Sequence, residues 1–307
     1  MKNPITSQTR NIKHALSQEM PVHLFRMNKQ SGLSQGHEWK KIIRLLPVVL
    51  LFLILSGCTN APENPSQEPA ASTRQLFQLK IYTFSDENQE SITDDYLEKA
   101  YLPGLKRHGI ENIGVFKPVP GEDNETLKTY VLIPFDECEP IFSINKQLFA
   151  EQEFQEAGKA YLNAAHDQPP YERIESIVMK SFEYMPVIGV PDLDAPVSER
   201  IYELRSYQSA TEADLNNKVE MFNQGGEIEI FKELDFNPVF FGKVISGPDM
   251  PNLMYMTSFS DNESRDEHWD AFRESPAWEK LKAEPKYQNN VSHIDRYFLH
   301  PTAFSDL

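Results

Sequence analysis

The sequence predicts an α+β fold in which two ferredoxin-like β-α-β-β-α-β units form one pseudo-dimeric α/β barrel. Three observations predict it. The first is a repeat: RQLFQLKIYTF from Arg74 lies over ERIYELRSYQS from Glu199, so that Gln78, Leu79, Lys80 and Tyr82 match Glu203, Leu204, Arg205 and Tyr207 at an offset of 125 residues. The second is that later segments agree as well, HGIENIGVFKPV from His108 with LDFNPVFFGKVI from Leu234, and TYVLIPFDE from Thr129 with MYMTSFSD from Met254. A period this long is one small domain rather than a solenoid turn. The third is the bare face of the repeating unit: a four-stranded sheet with both helices on one side leaves Ile, Val, Phe and Tyr uncovered on the other. The equivalent face of a second copy is the simplest cover.

In the first unit, residues 74–185, the strands are read at residues 74–84, 113–119, 129–135 and 173–182, with helices at 92–106 and 144–162. Pro103 falls inside the first helix and predicts a kink or an early end there. Pro186, Pro191 and Pro196 make 186–197 a stiff connector. In the second unit, 198–307, Ile201 to Tyr207 is a strand. Thr211-Glu212-Ala213-Asp214 then has the form of a capping box, opening a helix with Leu215, Val219 and Phe222 on one face. Strands at Val239 to Ile245 and Leu253 to Phe259 are joined by Ser246-Gly247-Pro248-Asp249, which is turn chemistry. A helix from Ser260 or Asn262 carries Trp269 and Phe272, Ser275-Pro276 interrupts it, and Trp278 and Leu281 again share a face before a last strand, His293 to Leu299.

The 307-residue chain has a net charge of -16, yet residues 1–57 carry eight Lys or Arg against two Asp or Glu, which puts the remaining 250 residues at -22. Phosphate and anionic lipid would be repelled, so nucleic-acid binding is disfavoured. Lys40, Lys41 and Arg44 precede the uncharged run Leu45 to Leu55, and Leu55-Ser56-Gly57-Cys58 follows. This resembles the lipobox of bacterial lipoproteins, which implies cleavage before Cys58 and a lipid on its thiol. The run is about half the roughly 20 residues that span a bilayer. Residues 1–57 are then leader and signal peptide, with Met27 a candidate start that shortens an over-long leader. Residues 58–73, with Pro62, Pro65 and Pro69, are a disordered tether. The implied address is the bacterial cell envelope: lipid-anchored, on the periplasmic side of a membrane or the cell surface, with Thr59 after the cysteine favouring the outer membrane. Cys138 is the one thiol left and is expected to be a buried spectator.

The second unit resembles the NIPSNAP family. The residues that carry the resemblance are Ile201 to Tyr207 (IYELRSY), Leu253-Met254-Tyr255, and above all His268 to Trp278 (HWDAFRESPAW). The first unit is weaker, with Phe154 near the place of Trp278 and Pro169 to Glu175 (PPYERIE) resembling the N-terminal unit of tandem bacterial members. The resemblance implies the dimeric α/β-barrel fold and no assigned reaction. Relatives in the wider superfamily include monooxygenases and isomerases, but fold is a poor warrant for activity.

Glu203, Arg205 and Tyr207 share a strand face by the period of two. Arg205 and Tyr207, with Lys80 and Tyr82 as first-unit counterparts, could form a polar pocket for a carboxylate or phenolate. The plainer reading is a Glu203–Arg205 pair on a solvent-washed face. His268 as a general base would need an orienting partner, with Asp261, Glu267 or Tyr255 nominated. His293 alternates with Asp295 and Tyr297 and is a further ligand-binding candidate. His108, His166, His268, His293 and His300 have no i, i+4 spacing or Cys partner, so no metal is expected. No cofactor is assigned, although one histidine such as His166 or His293 would suffice for haem. A small organic ligand between the two sheets is the expected partner, and pairing of two barrels into a homodimer is compatible with the sequence. The readings are a membrane-tethered binding or accessory protein, a small-substrate monooxygenase or isomerase, and an interaction scaffold.

Overall fold

The structure, a computed structural model, describes residues 74–121 and 126–307. The leader, Cys58 and the tether lie outside the described residues. Eight antiparallel strands form one closed barrel in the order β1-β3-β2-β8-β5-β7-β6-β4. β1 (Leu76–Phe84), β2 (Gly114–Pro118), β3 (Leu127–Phe135) and β4 (Arg173–Ser181) come from the first half of the repeat, and β5 (Ile201–Gln208), β6 (Pro238–Ser246), β7 (Asn252–Phe259) and β8 (His293–Pro301) from the second. The halves join edge to edge, β2 to β8 and β4 to β6. Closure leaves no free sheet edge to recruit another chain.

The barrel interior is apolar and filled. Phe77, Leu79 and Leu132 from one half meet Tyr202, Leu204 and Met256 from the other, all inaccessible to solvent. The ligand expected between the sheets therefore has no room there, because the residues that close the barrel occupy its centre.

Helices cover the outer faces. In the first half α1 (Glu87–Tyr96) starts at the N-cap Asp86, whose side chain accepts from the Gln89 amide. The helix does not end at Pro103: it widens into a π-turn over Leu97–Tyr101, so that Pro103 falls in the first turn of α2 (Leu102–Arg107), where a missing N–H is tolerated. The long helix expected over 144–162 is instead three short ones, α3 (Glu139–Leu148), α4 (Gln152–Ala157) and α5 (Lys159–Leu162), broken at residues 149–151 and at Gly158. Cys138 is exposed, not buried, since it stands at the surface turn between β3 and α3 among Asp136, Glu137 and Glu139.

In the second half α6 (Glu212–Phe222) opens on Thr211, whose hydroxyl accepts from the Asp214 amide. A helix with no counterpart in the sequence reading follows, α7 (Glu227–Glu233). Gly225 and Gly226 make it possible: a Cβ on Gly225 would lie 2.5 Å from the Met221 carbonyl oxygen, and Gly226 has φ of +91°. α8 (Asn262–Glu274) and α9 (Pro276–Lys282) are separated at Ser275, which caps α9.

The strand register corrects the repeat by one residue. Lys80 pairs with Val131, and Arg205 pairs with Tyr255, so the counterpart of Tyr255 is Val131 rather than Tyr130. A one-residue slip exchanges the two faces of a strand. Tyr130 accordingly points into the barrel beside Tyr297, whereas Tyr255 lies beneath the helices.

Candidate functional site

Every residue of β5 from Ile201 to Tyr207 is buried, so neither face of this strand meets water. Tyr202 and Leu204 point into the barrel, and Glu203, Arg205 and Tyr207 lie under the helices. The solvent-washed ion pair is thereby overturned. The Glu203 carboxylate, with no solvent-accessible surface, is fully engaged: Oε1 accepts from Arg205 Nε at 2.6 Å and Nη2 at 2.5 Å, and Oε2 accepts from Arg265 Nε at 2.8 Å and Trp269 Nε1 at 2.7 Å. The Arg205 guanidinium stands 3.7 Å from the centre of the Trp269 ring, and its Nη1 donates to the Tyr207 hydroxyl at 3.2 Å. One residue of β5 thus carries a cation whose place is fixed by a carboxylate two residues back and by an indole from α8.

Burial alone would raise the pKa of Glu203, but Arg205 and Arg265 outweigh it and hold the carboxyl below its ordinary 4.5. A depressed folded-state value contributes stability above the unfolded value, and that contribution is lost as pH falls through the folded one. The gap in urea midpoint between wild type and Glu203→Gln should therefore be constant near neutrality and shrink below about pH 4.5. A gap that stays constant to pH 3 would contradict this ionisation.

A second buried pair closes the site from the helix side. Lys218 Nζ of α6 donates to Glu227 Oε2 of α7 at 2.7 Å and stands 4.6 Å from the centre of the Phe222 ring. Burial raises the pKa of Glu227, and Lys218 opposes the rise. Tyr207 and Tyr255 complete the floor, their hydroxyls 2.9 Å apart. Burial drives the Tyr255 phenol well above its ordinary value, so it remains protonated.

These groups converge on a cavity of about 370 Å³ between the sheet and the helices of the second half. Arg205, Tyr207 and Tyr255 form its polar floor, Lys218 and Glu227 one wall, and Phe231, Trp269, Phe272 and Trp278 the aromatic remainder. Exposed Ile294, Arg296 and Arg273 stand at its mouth. Cations outnumber anions in the lining, with Arg205, Lys218, Arg273 and Arg296 against Glu227 alone. The low-dielectric aromatic wall strengthens their field on any bound anion.

Of the ligand-binding candidates read from the sequence, Arg205, Tyr207 and Tyr255 meet at this cavity, while Lys80, Tyr82, His268 and His293 do not. Lys80 and Tyr82 belong to a separate cluster in the first half, where the Lys80 ammonium stands 4.6 Å from the Tyr101 ring centre and 5.3 Å from that of Tyr82. In that cluster Tyr96 stacks on both Tyr101 and Tyr161. His268 turns away from the cavity: its Nδ1 is 2.6 Å from the Ser264 carbonyl oxygen, and its ring packs edge-on to Phe236. None of Asp261, Glu267 and Tyr255 orients it. His293 is exposed at the end of β8, 3.0 Å from Asp295, on the strand face opposite the lining residues Ile294 and Arg296. Among the described residues no group of three or more His, Cys, Asp or Glu could hold a metal ion, and no helix is long and apolar enough to cross a membrane. Lys218 and Glu227 were not identified from the sequence. A signal existed for the first, since Lys218 falls on the same helical face as Leu215 and Phe222. None existed for the second, which lies on the unpredicted α7.

The NIPSNAP family model matches residues 202–306, the stretch from β5 to the C-terminal segment that builds this cavity. The second half is thus similar to the NIPSNAP family. Similar solved structures include a NIPSNAP family protein of unknown function from Agrobacterium tumefaciens strain C58, with 20% identity over 36% of this chain and 96% of that one at a TM-score of 0.32. An uncharacterised NIPSNAP-like domain protein from Burkholderia xenovorans has 18% identity over 35% and 90%, at 0.32. A provisionally named monooxygenase from Lactobacillus acidophilus is similar over more of the chain, with 11% identity over 74% and 94% at 0.49. No curated protein matches the chain. Within the matched stretch the HWDAFRESPAW block has a structural explanation: Trp269 and Trp278 frame the cavity, and Ser275 turns the chain between them.

Proposed function

We propose that the protein binds a small organic anion in the cavity of its NIPSNAP-like second half, and that the chain is carried on a membrane by a lipid on Cys58. The observation that supports the binding reading is the Arg205 cation, held between Glu203 and Trp269 and opening on an aromatic cavity with Tyr207 and Lys218. Such convergence of few polar groups in an apolar cleft is the ordinary composition of a ligand site. At the matching position of the first half, among the described residues, Lys80 stands against the Tyr82 and Tyr101 rings instead. Among the described residues both tryptophans, Trp269 and Trp278, line the cavity, so their emission reports its occupancy. Titration of the purified protein with an aromatic carboxylate should change that emission saturably, and Arg205→Met should abolish the change. A wild-type signal indifferent to aromatic, aliphatic and phenolic anions alike would end the binding reading.

The anchor is supported by the sequence of residues 40–58 alone. Cells fed labelled palmitate should label the wild-type protein and not Cys58→Ala. An unlabelled wild-type protein would remove the lipid from the account.

A further inference from the structure

We propose that the cavity is built to take a carboxylate in particular, and that the Tyr207 proton is the group that reads it; this rests on the cavity being a ligand site. The inference comes from counting protons. Tyr255 has no solvent-accessible surface, and the hydrogen-bond partner of its hydroxyl among the described residues is the Tyr207 oxygen at 2.9 Å. If Tyr207 donated to Tyr255, the Tyr255 proton would be stranded in a dry site, a full desolvation cost. Tyr255 therefore donates. Tyr207 already accepts from Arg205 Nη1 at 3.2 Å, so both of its lone pairs are taken and its own proton is unspent.

Arg205 adds to this. Of its five N–H donors, three are engaged, Nε and one on Nη2 with Glu203 and one on Nη1 with Tyr207, which leaves one on each terminal nitrogen. The floor thus offers a hydroxyl and two guanidinium donors, while the acceptors that remain, the Tyr255 oxygen and the Glu227 carboxylate of the wall, are buried. A carboxylate, with two oxygens and four lone-pair positions, matches all three. A neutral phenol brings a donor of its own, and a primary amide replaces one acceptor by an NH₂ group, so each leaves donors facing donors.

The test uses benzoate, benzamide and phenol, three probes of similar size, on the purified full-length protein with tryptophan emission as the readout. Benzoate should bind at least about tenfold more tightly than either neutral probe, the factor that one lost hydrogen bond to a charged group gives. Tyr207→Phe should weaken benzoate at least about tenfold, while Tyr130→Phe, at a tyrosine of the barrel interior away from the cavity, should stay within about threefold of wild type. Should Tyr207→Phe fail to fold, the ranking of the three probes on wild type still decides. Equal binding of benzoate, benzamide and phenol, or equal losses in the two tyrosine variants, would overturn the carboxylate assignment and leave a less selective pocket standing. Failure of all three probes to change the emission would overturn the pocket together with the assignment.

Discussion

Glu203→Gln should lower the stability of the barrel by about 3–5 kcal/mol, the cost of breaking a buried ion pair from one side. For a domain of this size that corresponds to a fall of about 10 °C in Tm. The substitution keeps the shape of the side chain and removes its charge. Arg205 and Arg265 then lose the anion they share, and the buried Arg205 charge keeps only neutral partners such as the Tyr207 oxygen and the Trp269 ring. The amide keeps one acceptor oxygen and sets its NH₂ against the donors on the other side, either Arg205 or the Arg265 and Trp269 pair. A thermal melt of less than about 2 °C difference would show that Arg205 finds other compensation, and the site would lose its fixed cation as an explanation.

Trp269→Ala is expected to cost a similar amount, about 3–5 kcal/mol, for a different reason. The indole packs edge-on against Phe231 and Phe236, covers the Arg205 guanidinium and donates to Glu203. Its removal opens a void and unseats the ion pair together. Trp269→Phe separates these contributions, because the ring remains and the N–H is lost. Its cost should be about 1.5–3 kcal/mol, that of a hydrogen bond to a charged group. Urea unfolding of the two variants measures both. If Trp269→Phe proved as damaging as Trp269→Ala, the Glu203 bond rather than packing would carry the whole contribution of Trp269.

The barrel was legible because one sequence pattern recurs along the chain, and two bare sheet faces have one economical solution. Arg205 and Tyr207 were legible for the same reason, as polar residues on alternate positions of a strand that recurs. What the pattern concealed was which face of that strand meets what. Period two says that Glu203 and Leu204 lie on opposite faces, and it is silent on whether the polar face meets water or a layer of helices. Trp269, distant in sequence, decides that. The pairing of Tyr255 was hidden by a one-residue offset between the copies, which sequence alignment absorbs and a sheet does not. Lys218 could have been flagged from its place beside Leu215 and Phe222, while Glu227 needed the turn at Gly225 and Gly226 to bring α7 under it. His268 drew attention as a titratable residue beside a tryptophan, and its contact with the Ser264 carbonyl shows a side chain spent on its own helix.

The central claim is that a donor-lined cavity behind the second half of the barrel holds a small organic anion. A crystal structure of the protein grown with 4-iodobenzoate tests it most directly, because the iodine locates the ligand by its anomalous signal. The expected result is one strong iodine peak inside the cavity beside Phe272 and Trp278, with the carboxylate on Arg205 and Tyr207. An empty cavity at saturating ligand, or an iodine peak between the two halves of the sheet in the barrel interior, would contradict it.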